Sequence, residues 1–381
     1  MKNLPELRTI HGQPSWTFSC DSVQAALTRA GGHLAPVSFR LGKRRLQPYS
    51  IAPWAEEKIA PANPQIIRSL RGDFFGLPFG GNEDPYHHEK HPVHGETANN
   101  AWVPVGYSKK FGVTEFTLET KTRVRKGLVR KTLRLRDGET AVYQTHTISG
   151  MEGPMPAGHH AMLRFPDEGG IISTSPIAFG MVLPKPFEQP ELGGYQALKP
   201  GATFASLDRV PLLTGGFADL TRYPARRGYE DLVILPARSN VELGWTAVSF
   251  PHERAVFFSL RNTALLASTM LWISNGGRHY APWSSRHVNV LGLEDLTSCF
   301  HLGLAPSAAR NVLSKMGIPT ALSLEADCPT VVPYIMGMVE TPAGFGAVKR
   351  ITRTASGIRI HPASGKPVEA KLDTGFLFKG A

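Results

Sequence analysis

With 381 residues the chain has room for one large domain or two ordinary ones. Its 38 glycines, 31 prolines and only 19% charged residues describe a loop-rich all-β protein, not a helical or disordered one. The net charge of +11 raises nucleic acid as a partner, but the basic residues alternate along strand-like segments instead of clustering with aromatics, which reads as solvated outer faces. Anionic sugars or phosphates remain compatible with that charge.

Three widely spaced cysteines, Cys20, Cys299 and Cys328, form neither a metal motif nor a disulfide framework, so a reducing compartment is the default expectation. The N-terminal stretch lacks an apolar core of signal-peptide length. Arg261 and Asn262 interrupt the best candidate for a membrane span. The expectation is a soluble, cytoplasmic protein with neither nucleic acid nor membrane as a partner, and a monomer or homodimer.

In chain order, Val23–Thr28 and Leu34–Phe39 flank Gly31-Gly32 and predict a hairpin. A Pro-rich loop with Pro48, Pro53, Pro61 and Pro64 follows and contains Trp54. Leu70–Asn82 is too rich in glycine for an ordinary core strand and permits close approach of a backbone or ligand. From Thr114 to Arg125 the period is two: Phe116, Leu118, Thr120, Thr122 and Val124 share one face, while Glu115, Glu119, Lys121 and Arg123 share the other. Leu128–Arg136 and Thr140–Ile148 join across Asp137-Gly138, a strong hairpin turn. His159–Phe165 predicts a strand, with others at 171–184, 231–237, 243–249, 254–261 and 267–274. A short helix is predicted over Pro306–Met316 and more strands over 331–378. No linker or repeat divides the chain, so 1–381 is expected to be a single β-sandwich domain.

The chain is organised around the segment Leu271–Asp295. It is predicted to leave one apolar strand at Asn275-Gly276-Gly277, pass Tyr280, Pro282 and Trp283, and re-enter a buried strand, Val288–Leu293, that delivers Glu294. A carboxylate in such a place is either satisfied by backbone or by Arg278 and Arg286, or it is used. In the strand beginning His159-His160, alternation sends the two imidazoles to opposite faces. His159 goes with Ala161, Leu163 and Phe165 toward a core, and His160 goes with Met162 and Arg164 toward a half-polar face. The loop His87–His94 carries four histidines, but their spacing matches no structural zinc site, and Pro85 and Pro92 oppose a helix. Neither a metal nor a cofactor is expected. His94, followed by Gly95 and a polar run through Asn99, Asn100 and Trp102, reads as a ligand-lining loop. Trp102, Trp272 and Trp283 are either core aromatics or platforms for a sugar ring. Phosphate loops, Gly-x-Ser-x-Gly elbows and dinucleotide fingerprints are absent.

Four blocks resemble the galactose mutarotase-like superfamily, the aldose 1-epimerase relatives. They are the Gly31-Gly32 strand pair, Phe74–Gly81 leading to His94-Gly-Glu-Thr-Ala-Asn99, Gly158–Pro166, and Trp272–Glu294. The ligand-cleft motifs thus fall within about residues 70–300. The resemblance implies a large antiparallel β-supersandwich that binds a small carbohydrate in a concave sheet. It further implies that Glu294 is the general base at the anomeric hydroxyl, His160 the acid at the ring oxygen, and His94 a substrate ligand, with the acid and base on opposite sides of the sugar ring. Asn99, Arg71, Trp272 and Asp231 complete the expected substrate-binding set. The sequence departs from the family pattern where Glu83, not Arg, follows Asn82, and where Ala161 follows His160. Two alternatives stand beside the epimerase reading. One is a non-catalytic carbohydrate-binding or sensing protein of the same fold, and the other is a lyase or hydrolase acting on oligosaccharides.

Overall fold

The computed structural model describes residues 4–379 and consists almost entirely of antiparallel strands. One sheet has twelve strands. Its central run is Leu34–Leu41, Asp73–Gly76, Ala157–Arg164, Val290–Thr297, Ser268–Asn275 and Tyr229–Pro236. A second sheet has nine, with Leu243–Phe250, Ala255–Asn262, Thr330–Glu340 and Ala141–Ser149 at its centre. Between them lies the main core, built from Val37, Leu163 and Leu291 on one side and Phe116, Leu133 and Phe257 on the other. This is the large antiparallel β-supersandwich that the resemblance implies.

Sequence pattern and position in the sandwich agree. Val113–Thr122 lies toward the edge of the nine-stranded sheet and alternates buried with half-exposed residues. Its outward Glu119 and Glu115 meet Arg130 and Arg134 of the neighbouring strand at 2.6 and 2.7 Å, so the basic residues of this face are paired across strands. Val124 is not part of this strand, because the chain turns at 123–126. The central strands Ser268–Asn275 and Val290–Thr297 are buried at every position, since both faces are covered. Loops cover the outer face of the twelve-stranded sheet, where Phe74, Met162, Leu232 and Met270 pack against Trp54, Phe79 and Trp283. A three-stranded sheet, beginning with Val348–Thr354, covers the outer face of the nine-stranded one through Ile351, Ile358 and Ile360.

Three expectations need correction. The predicted strand at 171–184 is two short strands in different sheets, Gly170–Thr174 and Gly180–Val182, and Pro176, which has no N–H to donate, lies between them. The predicted helix at 306–316 is one turn, Leu304–Ala308, followed by a 3-10 turn, Ser314–Met316. Asn311 divides them: its amide donates to the Pro306 and Ala309 carbonyls, and its Oδ1 accepts from the N–H groups of Leu313 and Ser314. Finally, Glu294 does not close its strand but sits inside Val290–Thr297, which runs on through Asp295. Among the described residues no helix is long and apolar enough to cross a membrane.

Candidate active site

The site begins with register. Ala157–Arg164 and Val290–Thr297 are antiparallel neighbours, with Gly158 opposite Leu296 and Ala161 opposite Leu293. The same register places His160 opposite Glu294 and His159 opposite Asp295. Alternation then puts the first pair on the loop-covered face and the second between the sheets. On the outer face His160 Nε2 stands 3.2 Å from Glu294 Oε1. The contact is poorly aligned for a hydrogen bond, and among the described residues nothing else hydrogen-bonds either Glu294 oxygen or His160 Nδ1. Gly292 makes room for the carboxylate: a Cβ there would lie 2.6 Å from Glu294 Oε1.

His94 completes the polar end. Its ring meets His160 edge-on at 5.0 Å, and its Nδ1 accepts from the Gly80 N–H at 3.3 Å, so Nε2 is the protonated nitrogen. The His-Gly step is required by backbone geometry. Both residues have positive φ, and a side chain at Gly95 would strike the Leu77 carbonyl at 1.9 Å. Phe74 stacks on His160 at 4.5 Å, and Phe79 lies edge-on to His94 at 4.6 Å. In this apolar setting burial raises the Glu294 carboxyl well above its usual range and lowers His160 to about 3. Burial, then the neighbouring His160 and His301, holds His94 well below its usual value. Burial thus favours the neutral form of all three groups and favours the proton of the His160–Glu294 pair on the carboxyl.

These groups open onto a cavity of about 100 Å³. Trp272 forms one wall, edge-on to His160 at 5.5 Å, with its Nε1 donating to Glu230 at 3.0 Å. Arg278 lies over Trp283 at 4.5 Å and Trp272 at 5.5 Å, and donates to Glu188 at 2.5 Å. His301 closes the far side beside His94, their rings 6.1 Å apart. A larger open groove of about 410 Å³ near Thr17, Gln24, Ser38 and Tyr107 contains no acid–base pair.

Of the residues expected at the site, His160, Glu294, His94 and Trp272 line this one cavity. Three others do not. Arg71 is fully buried and donates to the carbonyls of Ser69, Ile10 and His11, tying the turn at residues 10–11 to the segment before Asp73–Gly76. Asn99 accepts from the Ile66 N–H and donates to the Val93 and Gly95 carbonyls, so its side chain is spent on the loop. Asp231 accepts from the N–H groups of Ala197 and Leu198, one alternation away from the cavity. Trp102 is in the intersheet core, donating to the Thr97 carbonyl. Arg278 and Arg286 do not reach Glu294; they pair with Glu188 and Glu57. In the 87–94 loop His91 pairs with Glu89, which Arg125 also holds, and only His94 reaches the cavity.

Sequence reasoning missed Arg278 as a cavity-wall residue, His301, and Glu230. The last shares its face with Leu232, which lines the cavity, and that parity was the available signal. Arg278 was considered only as a partner for Glu294. Its contact with Glu188 joins loops ninety residues apart, and nothing local announces it.

No protein-family model and no curated protein matches the sequence. Solved structures do match its fold. An aldose 1-epimerase candidate from Escherichia coli K12 is similar with a TM-score of 0.57 at 13% identity, covering 86% of this chain and 100% of that one. A galactose mutarotase related enzyme from Lactobacillus acidophilus gives 0.54 at 14%, covering 86% and 98%. A galactose mutarotase-like protein from Clostridium acetobutylicum gives 0.55 at 11%, covering 89% and 99%. The chain therefore has the galactose mutarotase-like fold. At these identities the likeness extends to architecture and not to activity.

Proposed function

We propose that the protein interconverts the anomers of a free aldose in the cavity at His160 and Glu294. The observation that carries this reading is the 3.2 Å meeting of an imidazole and a carboxyl that have no other hydrogen-bond partner among the described residues. The anomeric and ring oxygens of an aldose are bonded to the same carbon, so the two groups that serve them must stand side by side. That replaces the expectation of an acid and a base on opposite sides of the ring.

In the reaction Glu294 takes the proton from the anomeric hydroxyl while His160 gives one to the ring oxygen. The C1–O5 bond breaks and C1 becomes a carbonyl. Rotation about C1–C2 and the reverse transfers close the other anomer, and both residues return to their starting state. The pair holds one mobile proton. Burial favours it on Glu294, and moving it across the contact gives the carboxylate and imidazolium that the ring-opening step uses. His94 Nε2–H donates to a ligand oxygen beside them. Three free cysteines support a reducing, cytoplasmic setting.

The test is mutarotation of freshly dissolved α-anomers, followed by polarimetry or NMR for wild type and Glu294→Gln. Acceleration by wild type that disappears in the variant is expected. Acceleration that survives the substitution, or none on any aldose, overturns the reading.

A further inference from the structure

The polar side chains of the cavity are His94, His160, Glu294, His301 and Arg278, the last already paired with Glu188. Much of the remaining wall is apolar: Ile66, Ile67, Leu70, Val93, Leu232 and Phe187. A hexose bears a hydroxyl on nearly every carbon, and a hydroxyl turned to such a wall gives up its water and finds nothing in exchange.

Main-chain atoms do not make up the deficit. The Ile66 N–H is taken by Asn99 Oδ1 at 3.0 Å, and the Val93 and Gly95 carbonyls by Asn99 Nδ2 at 2.8 and 2.7 Å. The Ile67 carbonyl is taken by Trp54 Nε1 at 2.8 Å, and the Ile67 N–H by the Pro64 carbonyl at 3.0 Å. The same bonds fasten the Gln65–Arg68 turn to the loop that carries His94. The wall is thus held at a set distance from the acid–base pair.

We infer that the ligand turns an apolar flank to this wall, and that the substrate class is a deoxygenated or O-alkylated aldose. This rests on reading the cavity as a sugar site. His94, His160 and Glu294 serve the anomeric centre, and the Ile66–Val93 side takes a methyl or methylene edge.

The experiment compares kcat/KM for mutarotation of glucose and galactose with their single-deoxy derivatives and 3-O-methylglucose, each corrected for the uncatalysed rate. In parallel, Kd is read from the fluorescence of the wall tryptophans. At least one derivative is expected to exceed its parent by roughly 10- to 100-fold, the discrimination an apolar pocket exerts on one hydroxyl. The isosteric Val93→Thr, alone and with Ile67→Thr, should shrink that ratio. Parents that equal or exceed every derivative overturn the inference while leaving the epimerase reading intact. A ratio unmoved by both variants, with native β-sheet circular dichroism, also overturns it, because the wall is then not its source. If no sugar is turned over but Kd favours a derivative, the inference stands and the catalytic reading falls. Absence of both turnover and binding removes both.

Discussion

His159 and His160 are consecutive on one strand, Glu294 and Asp295 on the next, and the two resulting pairs face opposite ways. On the inner face Asp295 accepts from Arg261 at 2.6 Å, Thr269 and Ser259 at 2.7 Å, and Tyr334 at 3.1 Å. His159 Nδ1 stands 2.9 Å from Asp73, which Gln144 also holds at 2.5 Å. His159 Nε2, Asp73 Oδ1, Gln144 Oε1 and both nitrogens of the adjacent His146 are left over there, but Asp295 and the paired atoms of His159 and Asp73 are held. On the outer face His160 and Glu294 have each other and nothing else among the described residues. The residue types are alike and the burial is alike. What differs most is the supply of partners to the carboxylates: Asp295 has four donors, and Glu294 has only the imidazole beside it, which marks Glu294 as the one available to a ligand.

That contrast predicts opposite outcomes for neighbouring substitutions. Glu294→Gln removes the transferable proton and should lower kcat by about 10²- to 10⁴-fold. No protein partner is lost, so the thermal midpoint should hold or rise. Asp295→Ala strands the guanidinium of Arg261, which is 2% exposed, and should destabilise the fold by about 3–5 kcal/mol. Molecules that still fold should keep near-normal turnover. Rate assays and urea titrations of both variants check the pair. A stable, inactive Asp295→Ala protein would dissolve the distinction between the faces.

Acidity separates the faces in a second way. In the unfolded chain Glu294 releases its proton near 4.5 and His160 gains one near 6.5, their ordinary values. Folded, burial holds the Glu294 proton to higher pH and keeps a second proton off His160 until about pH 3. Above pH 6.5 the folded state therefore binds the proton more tightly than the unfolded state, and stability falls as pH rises. Below pH 4.5 the unfolded state holds one more, and stability falls as pH drops. The pair's contribution peaks between those values and declines on either side. Asp73 behaves differently: net of burial, His159, Lys131 and Gln144 hold it below 3.8, so its contribution is present above that value and lost as pH falls through the depressed one. Urea titrations against pH should show a peaked difference between wild type and the Glu294→Gln/His160→Gln double variant. Between wild type and Asp73→Asn the difference should be a single acid step.

The architecture was legible because local chemistry and tertiary position agree in it. Period-two alternation marks strands with one wet face, such as Val113–Thr122, and Gly31-Gly32 and Asp137-Gly138 mark hairpins. The same alternation separates His159 from His160. It fails within Tyr229–Pro236, where Leu232, Val233, Ile234 and Leu235 are all buried because both faces are covered. With no wet side to identify the faces, alternation does not test the Asp231 that the family resemblance implies as a sugar ligand, and it is Glu230 that shares the cavity's side. Polar residues in the His94 loop raised the opposite difficulty. Asn99 has the chemistry of a sugar ligand, yet the loop's own main chain consumes it, and only the folded path of residues 65–68 reveals that competition.

The smaller predictions concern these displaced residues. Asn99→Ala deletes three hydrogen bonds that join the Ile66 turn to the His94 loop, and should cost about 1–3 kcal/mol of stability. KM should rise more than kcat falls, because the wall loosens while Glu294 and His160 stay on their strands. Asp231→Asn should have the least effect. Burial raises this carboxyl to about 6 even though it accepts from Leu198 N–H at 2.8 Å and Ala197 N–H at 3.1 Å. An amide oxygen can accept the same bonds, and its uncharged state matches the buried acid below pH 6. Stability should change by no more than about 1 kcal/mol, with kcat and KM at wild-type values. A large loss of sugar affinity in Asp231→Asn would mean that the Ala197–Leu198 loop, and not the Glu230 side of the strand, meets the substrate.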